Sequence, residues 1–225
     1  MCAETARPDQ ADPTESSEAA PAGESQMRQL LLDFTQAPAP TFANFVHGGN
    51  AELFHAISAA ARGAPGERVI YVWGESGAGK THLAKAFTTA AAGMPRVRVI
   101  DDVERLGPDE QGELFDAFIE HAFDVLLVTA RAAPADTALR RDLATRLATG
   151  LVFRIVPLTD AEKRAALEAH ASSRGFALSE EVSGYLLTHA RRDMGSLMAA
   201  LDALDRYSLE TGRPITVPLL KSAIA

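Results

Sequence analysis

Eight residues, Gly74–Thr81, limit the possible folds of this chain more than any others, because they fit the pattern G-x-x-x-x-G-K-[ST] at every position. A β-branched and aromatic run, Arg68–Trp73, precedes them, and a helical run follows. In such a loop successive backbone N–H groups surround a phosphate, Lys80 bridges β- and γ-phosphate oxygens, and Thr81 binds Mg²⁺. A glycine turn without function is the alternative, but the pattern arises by chance in only about one chain in a hundred. The sequence therefore predicts a phosphate-binding loop with glycines at Gly74, Gly77 and Gly79.

Composition excludes several classes of protein. The net charge is −8, of which residues 1–26 contribute −5, so the remaining chain is nearly neutral and lacks the basic field that holds nucleic-acid backbones. The single cysteine, Cys2, excludes an internal disulfide and a multi-cysteine zinc site. No run of eighteen apolar residues occurs, and the acidic start does not resemble a signal peptide. We expect a cytoplasmic protein that does not enter a membrane.

The chain divides into four parts. Residues 1–26 lack apolar periodicity and are predicted to be a disordered acidic tail, although Met27 is an alternative start. Residues 27–40 hold a short apolar segment and a Pro/Ala linker. Residues 41–157 alternate strands with helices, which predicts an α/β domain with a mainly parallel sheet. Residues 158–225 are purely helical in pattern and predict a small α-helical domain.

The predicted elements follow from hydrophobic periodicity and capping residues. Asn50 is predicted to cap the first helix, and Thr159 opens the helical domain with a capping box. The predicted strands are 68–73, 97–100, 125–129 and 151–155, and the predicted helices are 50–62, 80–92, 108–121, 135–147, 159–174, a helix capped by Ser179, 193–210 and one that begins near Val217.

Two carboxylates, Asp101 and Asp102, end the strand that follows the phosphate-binding loop. The carboxyl end of a strand beside that loop is where a P-loop protein holds Mg²⁺. We predict that Asp101 is a magnesium ligand together with Thr81, and that Asp102 orients an attacking water. An aspartate pair that only caps a turn is the alternative.

The order of these motifs resembles the AAA+ domain of the bacterial replication initiator DnaA. The resemblance covers residues 27–225 and rests on Phe42–Val46, the phosphate-binding loop, Asp101–Asp102, the segment 143–151 that contains Arg146, and Pro157–Asp160. The initiator's DNA-binding domain is expected to be absent, and the layout resembles that of the DnaA-related regulatory inactivators. The resemblance implies ATP or ADP with Mg²⁺ as cofactors, nucleotide contacts from Phe45 and Thr129, and a place at the nucleoid or replisome.

Two further sites are implied by the same resemblance. Gln29–Phe34 is similar to a peptide that binds the sliding clamp, the β subunit of DNA polymerase III: Gln29 would enter a polar pocket while Leu30, Leu32 and Phe34 fill an apolar one. An arm folded onto the chain's own surface is the alternative. Arg146 would act in trans on ATP bound to DnaA, as an arginine finger does, with a surface salt bridge as the alternative. Arg140 and Arg141 would shape that interface.

The chain departs from the family pattern at three places. No room exists between the loop helix and Val97 for the usual extra strand and helix, so we predict a four-stranded sheet with Val97–Ile100 at its edge, where the charge of Arg98 discourages unwanted pairing. Arg131 stands where an aspartate often follows the polar sensor. Gly195 stands where the helical lid usually carries an arginine, and Arg192 is a candidate substitute.

Three functions remain open at this point. The favoured one is a clamp-tethered regulator that stimulates hydrolysis of DnaA-bound ATP and so prevents re-initiation of replication. A stand-alone P-loop ATPase, such as a helicase loader, is the second. A direct DNA-binding module is the weakest, and contact with DNA is expected mainly through the clamp. The sequence leaves open which nucleotide is bound and whether a homodimer forms.

Overall fold

The computed structural model describes residues 39–190 and 193–224. The helices are α1 (Ala51–Ala60), α2 (Lys80–Ala90), α3 (Pro108–Ile119), α4 (Arg141–Leu147), α5 (Asp160–Ser173), α6 (Glu180–His189), α7 (Met194–Thr211) and α8 (Val217–Ile224). The strands are β1 (Val69–Trp73), β2 (Val97–Ile100), β3 (Val125–Ala130) and β4 (Leu151–Arg154), and short 3₁₀ helices occupy Val103–Arg105 and Pro134–Asp136.

The four strands form one parallel sheet in the order β2-β3-β1-β4. Val69 of β1 pairs with Leu126 of β3, and Ile70 pairs with Leu151 of β4, so β1 is central. β2 pairs with β3 and lies at one edge, which confirms the prediction of a sheet shortened by one strand. The shortened sheet keeps the strand that leads into the phosphate-binding loop at its centre.

Helices cover both faces of the sheet, as its β-branched central strands require. Alternate residues of β1 face opposite ways: Ile70 and Val72 pack with α1 and α2, whereas Val69 and Tyr71 pack with α3 and α4. The first core also contains Leu53, Ile57, Leu83 and Phe87, and the second contains Leu114, Leu126, Leu143 and Leu147. The α2 helix and the α4 helix therefore lie on opposite sides of the sheet.

The helices from α5 onward enclose a separate core. Its fully buried side chains include Leu167, Leu186, Leu197, Leu201 and Leu204. Thr159 caps α5 by accepting from the backbone N–H of Glu162, and Ser179 caps α6, as predicted. Within residues 39–190 and 193–224, no helix is both long enough and apolar enough to cross a membrane.

The predicted helix 135–147 is wrong in its first half. A 3₁₀ turn over Pro134–Asp136 ends where the Thr137 hydroxyl donates to the Pro134 carbonyl (2.9 Å). The backbone N–H of Arg140 donates to the side chain of Gln111 (2.9 Å), and Arg140 has an extended ψ of 135°. These contacts hold the segment out of helical geometry, so α4 begins only at Arg141.

Asn50 occupies the N-cap position of α1, but its side chain does not cap the helix as predicted. Its Nδ2 donates to the carbonyl of Val156 (2.8 Å), and its Oδ1 accepts from the N–H of Val156 (2.7 Å). Asn50 is buried, and Val156 lies 106 positions away in the linker that leads to α5. The side chain therefore joins the start of α1 to the linker.

We expect Asn50→Ala to lower the free energy of unfolding by about 2 kcal/mol, because it leaves two backbone groups of Val156 without their partner. Urea denaturation followed by circular dichroism measures the change. Thr89→Ala, which removes an exposed hydrogen bond to the Lys85 carbonyl within α2 (3.1 Å), is the control and should change stability by less than about 0.5 kcal/mol. Equal stability of both variants would show that Asn50 does not support the linker.

Candidate functional site

The loop between β1 and α2 has the geometry of a phosphate-binding loop. Gly79, the residue before α2, adopts φ 102°, and Gly77 adopts φ 80°, which side-chain-bearing residues rarely do. A Cβ on Gly79 would lie 3.1 Å from the ring of Phe45. The buried Lys80 donates from Nζ to the carbonyls of Gly74 (2.7 Å) and Glu75 (2.8 Å), so its ammonium is held over the loop.

A cavity of about 510 Å³ opens beside this loop. The loop forms its floor, from Ser76 to Thr81. Residues before and at the start of α1 form a second wall, with the linker residues Pro157 and Leu158 beside them. The start of α7, Asp193–Ser196, forms a third wall. The cavity thus lies where the α/β part, the linker and the helical lid meet, which is a frequent place for ligand sites.

Aromatic packing fixes the wall in front of α1. Phe45 stacks on Phe54 with ring centroids 5.8 Å apart and also contacts the ring of His82 (5.4 Å). His82, on α2, lies within hydrogen-bond distance of the Thr41 carbonyl (3.0 Å). Phe45 lines the cavity, so the predicted contact residue reaches the predicted site. The apolar side of the cavity suits a flat base, and the loop side suits phosphates.

The two aspartates after β2 are placed differently. Asp102 lines the cavity together with Thr81, whereas Asp101 is not among its lining residues. Asp101 accepts a hydrogen bond from the Thr129 hydroxyl (2.6 Å), and that hydroxyl accepts from the Asp102 N–H (2.8 Å). Thr129 is fully buried. Thr129 therefore supports the aspartate pair from behind, and of the two carboxylates Asp102 faces the cavity.

The cavity is lined by more cationic side chains than the sequence analysis predicts. Lys85, Arg131 and Lys163 line it in addition to Lys80, with Asp102 and Asp193 as the acidic lining residues. A surplus of positive charge suits a polyphosphate. The position of Arg131 directly after β3 indicates a place beside the loop, whereas the family resemblance predicts only the loss of an aspartate there. Gly195 lines the lid wall, and Arg192 lies outside the described residues.

Mg²⁺ fits this site as a cation shared with phosphate oxygens. Within the described part of the chain, no group of three His, Cys, Asp or Glu side chains could hold a metal by itself. Mg²⁺ commonly keeps several waters and uses one or two protein oxygens plus phosphates. The hydroxyl of Thr81 and the carboxylate of Asp102 both line the cavity, and they are oxygen ligands of the kind that Mg²⁺ uses beside phosphates.

Arg146 lies on a different surface. It is exposed on α4 and lines an open groove of about 750 Å³, which we call the arginine groove, with Arg140, Arg141, Phe115 and Thr149 among its other lining residues. Among the described residues, the side chains of Arg141 and Arg146 make no hydrogen bond or ion pair. Neither residue lines the cavity at the phosphate-binding loop.

Arg140 is held in place within the arginine groove. Its guanidinium pairs with Asp142 (2.7 Å) and lies 5.7 Å from the centre of the Phe115 ring. A hydrogen bond from the Leu143 backbone N–H, and then Arg140, lower the pKa of Asp142, so the pair stays charged. Of the three arginines, Arg141 and Arg146 are available to a partner. The predicted clamp anchor, Gln29–Phe34, lies outside the described residues.

Two family models match this chain. The bacterial DnaA ATPase domain matches residues 37–100, and the lid domain of Hda matches residues 160–224. This chain is an Hda-like, DnaA-related AAA+ protein. The match to the lid begins where α5 begins, and the match to the ATPase domain contains the phosphate-binding loop and β2.

Solved AAA+ structures share the fold. Domain III of DnaA from Thermotoga maritima superposes with a TM-score of 0.63 at 23% identity, covering 84% of this chain and 99% of that one. AMPPCP-bound DnaA from Aquifex aeolicus gives 0.59 at 18% identity, covering 77% of this chain and 67% of that one. A RuvB variant from Thermotoga maritima gives 0.58 at 18% identity, covering 86% and 72%. The α/β sheet with a helical lid is therefore an AAA+ architecture.

Proposed function

We propose that this AAA+ protein binds an adenine nucleotide and, tethered to the sliding clamp, stimulates hydrolysis of ATP bound to DnaA. The observation that carries the proposal is the position of Arg146. It is exposed without a partner in the described residues, and it lies on the face of the sheet opposite α2. An arginine in that position cannot serve its own phosphate-binding loop. It can serve a nucleotide presented by a second AAA+ protein.

The nucleotide held in this chain's own cavity organises the protein. Lys80, which donates to the carbonyls of Gly74 and Glu75, would turn to phosphate oxygens, and Thr81 with Asp102 would hold Mg²⁺. Asp101 is predicted from the sequence to be a metal ligand. In the structure it helps to fix Asp102, because the Thr129 hydroxyl donates to Asp101 and accepts from the backbone N–H of Asp102. Phe45 and the linker line the cavity and would receive the base. ATP and ADP both fit this description.

Arg146 acts on the partner's nucleotide. In phosphoryl transfer, negative charge accumulates on the transferred group in the transition state, and a guanidinium placed there lowers the barrier. The planar fork of arginine binds two oxygens at once, which a lysine cannot do. Arg140 and Arg141 line the same groove and would contact the partner around that nucleotide.

A helicase loader or another stand-alone ATPase is the second candidate. The complete loop and the cavity-facing Asp102 favour it. Gly195 at the lid wall disfavours it, because a lid without that arginine lacks one of the charges that promote turnover. The match to the lid domain of Hda also favours the regulator.

Single-turnover hydrolysis separates the two. ATP is preloaded on DnaA, and its hydrolysis is followed with this chain, with clamp-loaded DNA, and with both. If this chain is a regulator, hydrolysis should be fast only when this chain and clamp-loaded DNA are both present. This chain alone should then turn ATP over slowly. Fast turnover alone, unchanged by DnaA and clamp, would support the loader instead.

We expect Lys80→Ala to weaken nucleotide binding at least tenfold, because it removes the ammonium that faces the phosphates. Isothermal titration with ADP measures the change. Lys221→Ala, a lysine on α8 that does not line the cavity, is the control and should bind like the parent. The parent should also melt at a higher temperature with nucleotide, by linkage. Equal affinities of parent and Lys80→Ala would contradict the assignment of the loop.

A further inference from the structure

The arginine groove contains positive charge that its own residues do not balance. Asp142 is the one acidic residue that lines it, and the guanidinium of Arg140 already pairs with that carboxylate (2.7 Å). Arg141 and Arg146 are both exposed, and among the described residues their side chains make no hydrogen bond or ion pair. Two guanidinium groups in one groove are therefore available to an anionic group from elsewhere.

Other unpaired cations of the described structure do not share a groove in this way. The side chains of Arg62, Arg98, Arg213 and Lys221 also lack a partner there, but they belong to four different elements or loops. The cations of the cavity, among them Lys85, would be balanced by the phosphates of the proposed nucleotide. The arginine groove is thus a place where an acidic segment would meet two unbalanced cations at once.

The chain itself contains such a segment. Residues 1–26, which we call the acidic tail, carry six acidic residues and one arginine, a charge of −5, whereas all the residues after them carry −3. Carboxylates bind guanidinium groups through charge-assisted hydrogen bonds, as phosphate oxygens do. The acidic tail and a partner's nucleotide therefore offer the groove the same chemistry.

The spacing of the acidic tail suits the groove. Four of its acids stand three positions apart, which sets neighbours about 10 Å apart in an extended chain: Asp9, Asp12, Glu15 and Glu18. Arg141 and Arg146 are about 7.5 Å apart along the axis of α4, and their side chains are long and mobile at the surface. Two successive carboxylates can therefore contact both arginines.

The length of the chain allows the acidic tail to reach the groove. Glu18 precedes residue 39, where the described structure begins, by 21 positions, which span up to about 70 Å. A folded body of this size has a radius of gyration of about 16 Å, so either face of the sheet is within reach. Ion pairs at a surface are weak, but a connection through the chain gives them a local concentration in the millimolar range.

We propose that the acidic tail occupies the arginine groove until Gln29–Phe34 binds the sliding clamp, and that it keeps Arg146 from the nucleotide of DnaA until then. The inference rests on the proposed function, because it concerns the regulation of the same arginine. Gln29–Phe34 lies between the acidic tail and the folded part of the chain. Binding of that segment to the clamp therefore carries the acidic tail away from the groove.

Energy transfer within the full chain tests the contact without DnaA or clamp. Trp73 is the only tryptophan and Cys2, in the acidic tail, is the only cysteine, so an acceptor dye on Cys2 reports one distance. Trp73 packs in the same core as Phe115, which lines the arginine groove. With saturating ADP, transfer in the double variant Arg141→Ala/Arg146→Ala should fall to the value that the parent gives in 1 M salt, where the screening length is about 3 Å.

The double variant Arg62→Ala/Arg213→Ala is the matched control, because it removes the same charge outside the groove. It should keep the transfer of the parent. Equal transfer in the parent and in Arg141→Ala/Arg146→Ala would overturn the proposal. Transfer that is high without nucleotide and is lost when ADP is added would place the acidic tail at the cavity, and would also overturn it.

Single-turnover hydrolysis of ATP preloaded on DnaA tests the regulatory effect. Without clamp, a chain that begins at Met27 should stimulate hydrolysis about threefold or more above the full chain, because the competing carboxylates are gone. With clamp-loaded DNA the two chains should act equally, since both keep Gln29–Phe34.

The outcomes separate this inference from the proposed function. Equal stimulation by the two chains without clamp, with strong stimulation by both on clamp-loaded DNA, would reject the inhibitory role of the acidic tail and leave the proposed function standing. No stimulation by either chain on clamp-loaded DNA would reject the proposed function, and with it the regulation proposed here.

Discussion

Arg146→Ala is expected to lower stimulation of DnaA-bound ATP hydrolysis by a factor of about 10³, the lower end of the range found for arginine fingers. The guanidinium neutralises charge that develops only in the transition state, so its loss affects rate rather than assembly. Because Arg146 is exposed and makes no ion pair among the described residues, the variant should fold, melt and bind nucleotide like the parent.

Single-turnover hydrolysis of radiolabelled ATP preloaded on DnaA, with clamp-loaded DNA, measures the effect. Arg146→Lys should be nearly as inactive, because an ammonium cannot reproduce the fork. Arg154→Ala is a matched control: Arg154 is also exposed and follows α4 closely, but its guanidinium lies over the Trp73 ring (5.4 Å) and outside the arginine groove. Full stimulation by Arg146→Ala would move the finger to Arg141 or Arg140, or reject the regulator.

Replacing Gln29 and Leu30 together by alanine is expected to abolish capture of the protein on immobilised clamp. Anchors of short peptides cost 2 kcal/mol or more each when truncated, so two of them lower affinity by about a thousandfold. Leu31→Ala is the matched control, because Leu31 was not assigned to either pocket of the clamp. It should bind with nearly the parent's affinity.

The melting temperature distinguishes the tether from the alternative of an arm packed on its own domain. An exposed anchor supports no core, so the double variant should melt within about 1 °C of the parent. A fall of several degrees that accompanies the loss of clamp capture would show instead that the segment stabilises the folded chain. Hydrolysis of DnaA-bound ATP should fall with clamp capture, since tethering raises the local concentration of Arg146.

Local signals in the sequence were sufficient for most of the fold. β2 has the predicted limits, and α2 and α3 end within two residues of their predicted ends. These limits could be predicted because strand-forming residues, helix caps and prolines influence the backbone only a few positions away. The segment before α4 was predicted wrongly because Gln111, distant in sequence, binds the backbone of Arg140. The prediction that Asn50 caps α1 is wrong for the same reason. Its partner, Val156, is distant in sequence and comes close to Asn50 only in the folded chain.

The candidate site was predictable where a motif fixes a residue's place. Lys80, Thr81 and Phe45 line the cavity as expected. The relative positions of Asp101 and Asp102 depend on one backbone turn, in which Asp102 adopts φ 55°. No pattern in the sequence predicts this turn. Arg131 also lines the cavity, a position that the family resemblance does not predict because it describes only a missing aspartate there.

The pairing of β1 has a consequence for how the chain folds. Its two neighbours are β3 and β4, and neither is adjacent to it in sequence, so each pairing must close a long loop before any sheet contact compensates the lost chain entropy. Compared with an AAA+ sheet of five strands, the loop between β1 and β3 is shorter by a strand and a helix. The loop after β1 is correctly placed only once both pairings exist. Nucleotide binding during refolding would thus be an end-point signal for the complete sheet, and it should appear after the helical circular dichroism signal has recovered.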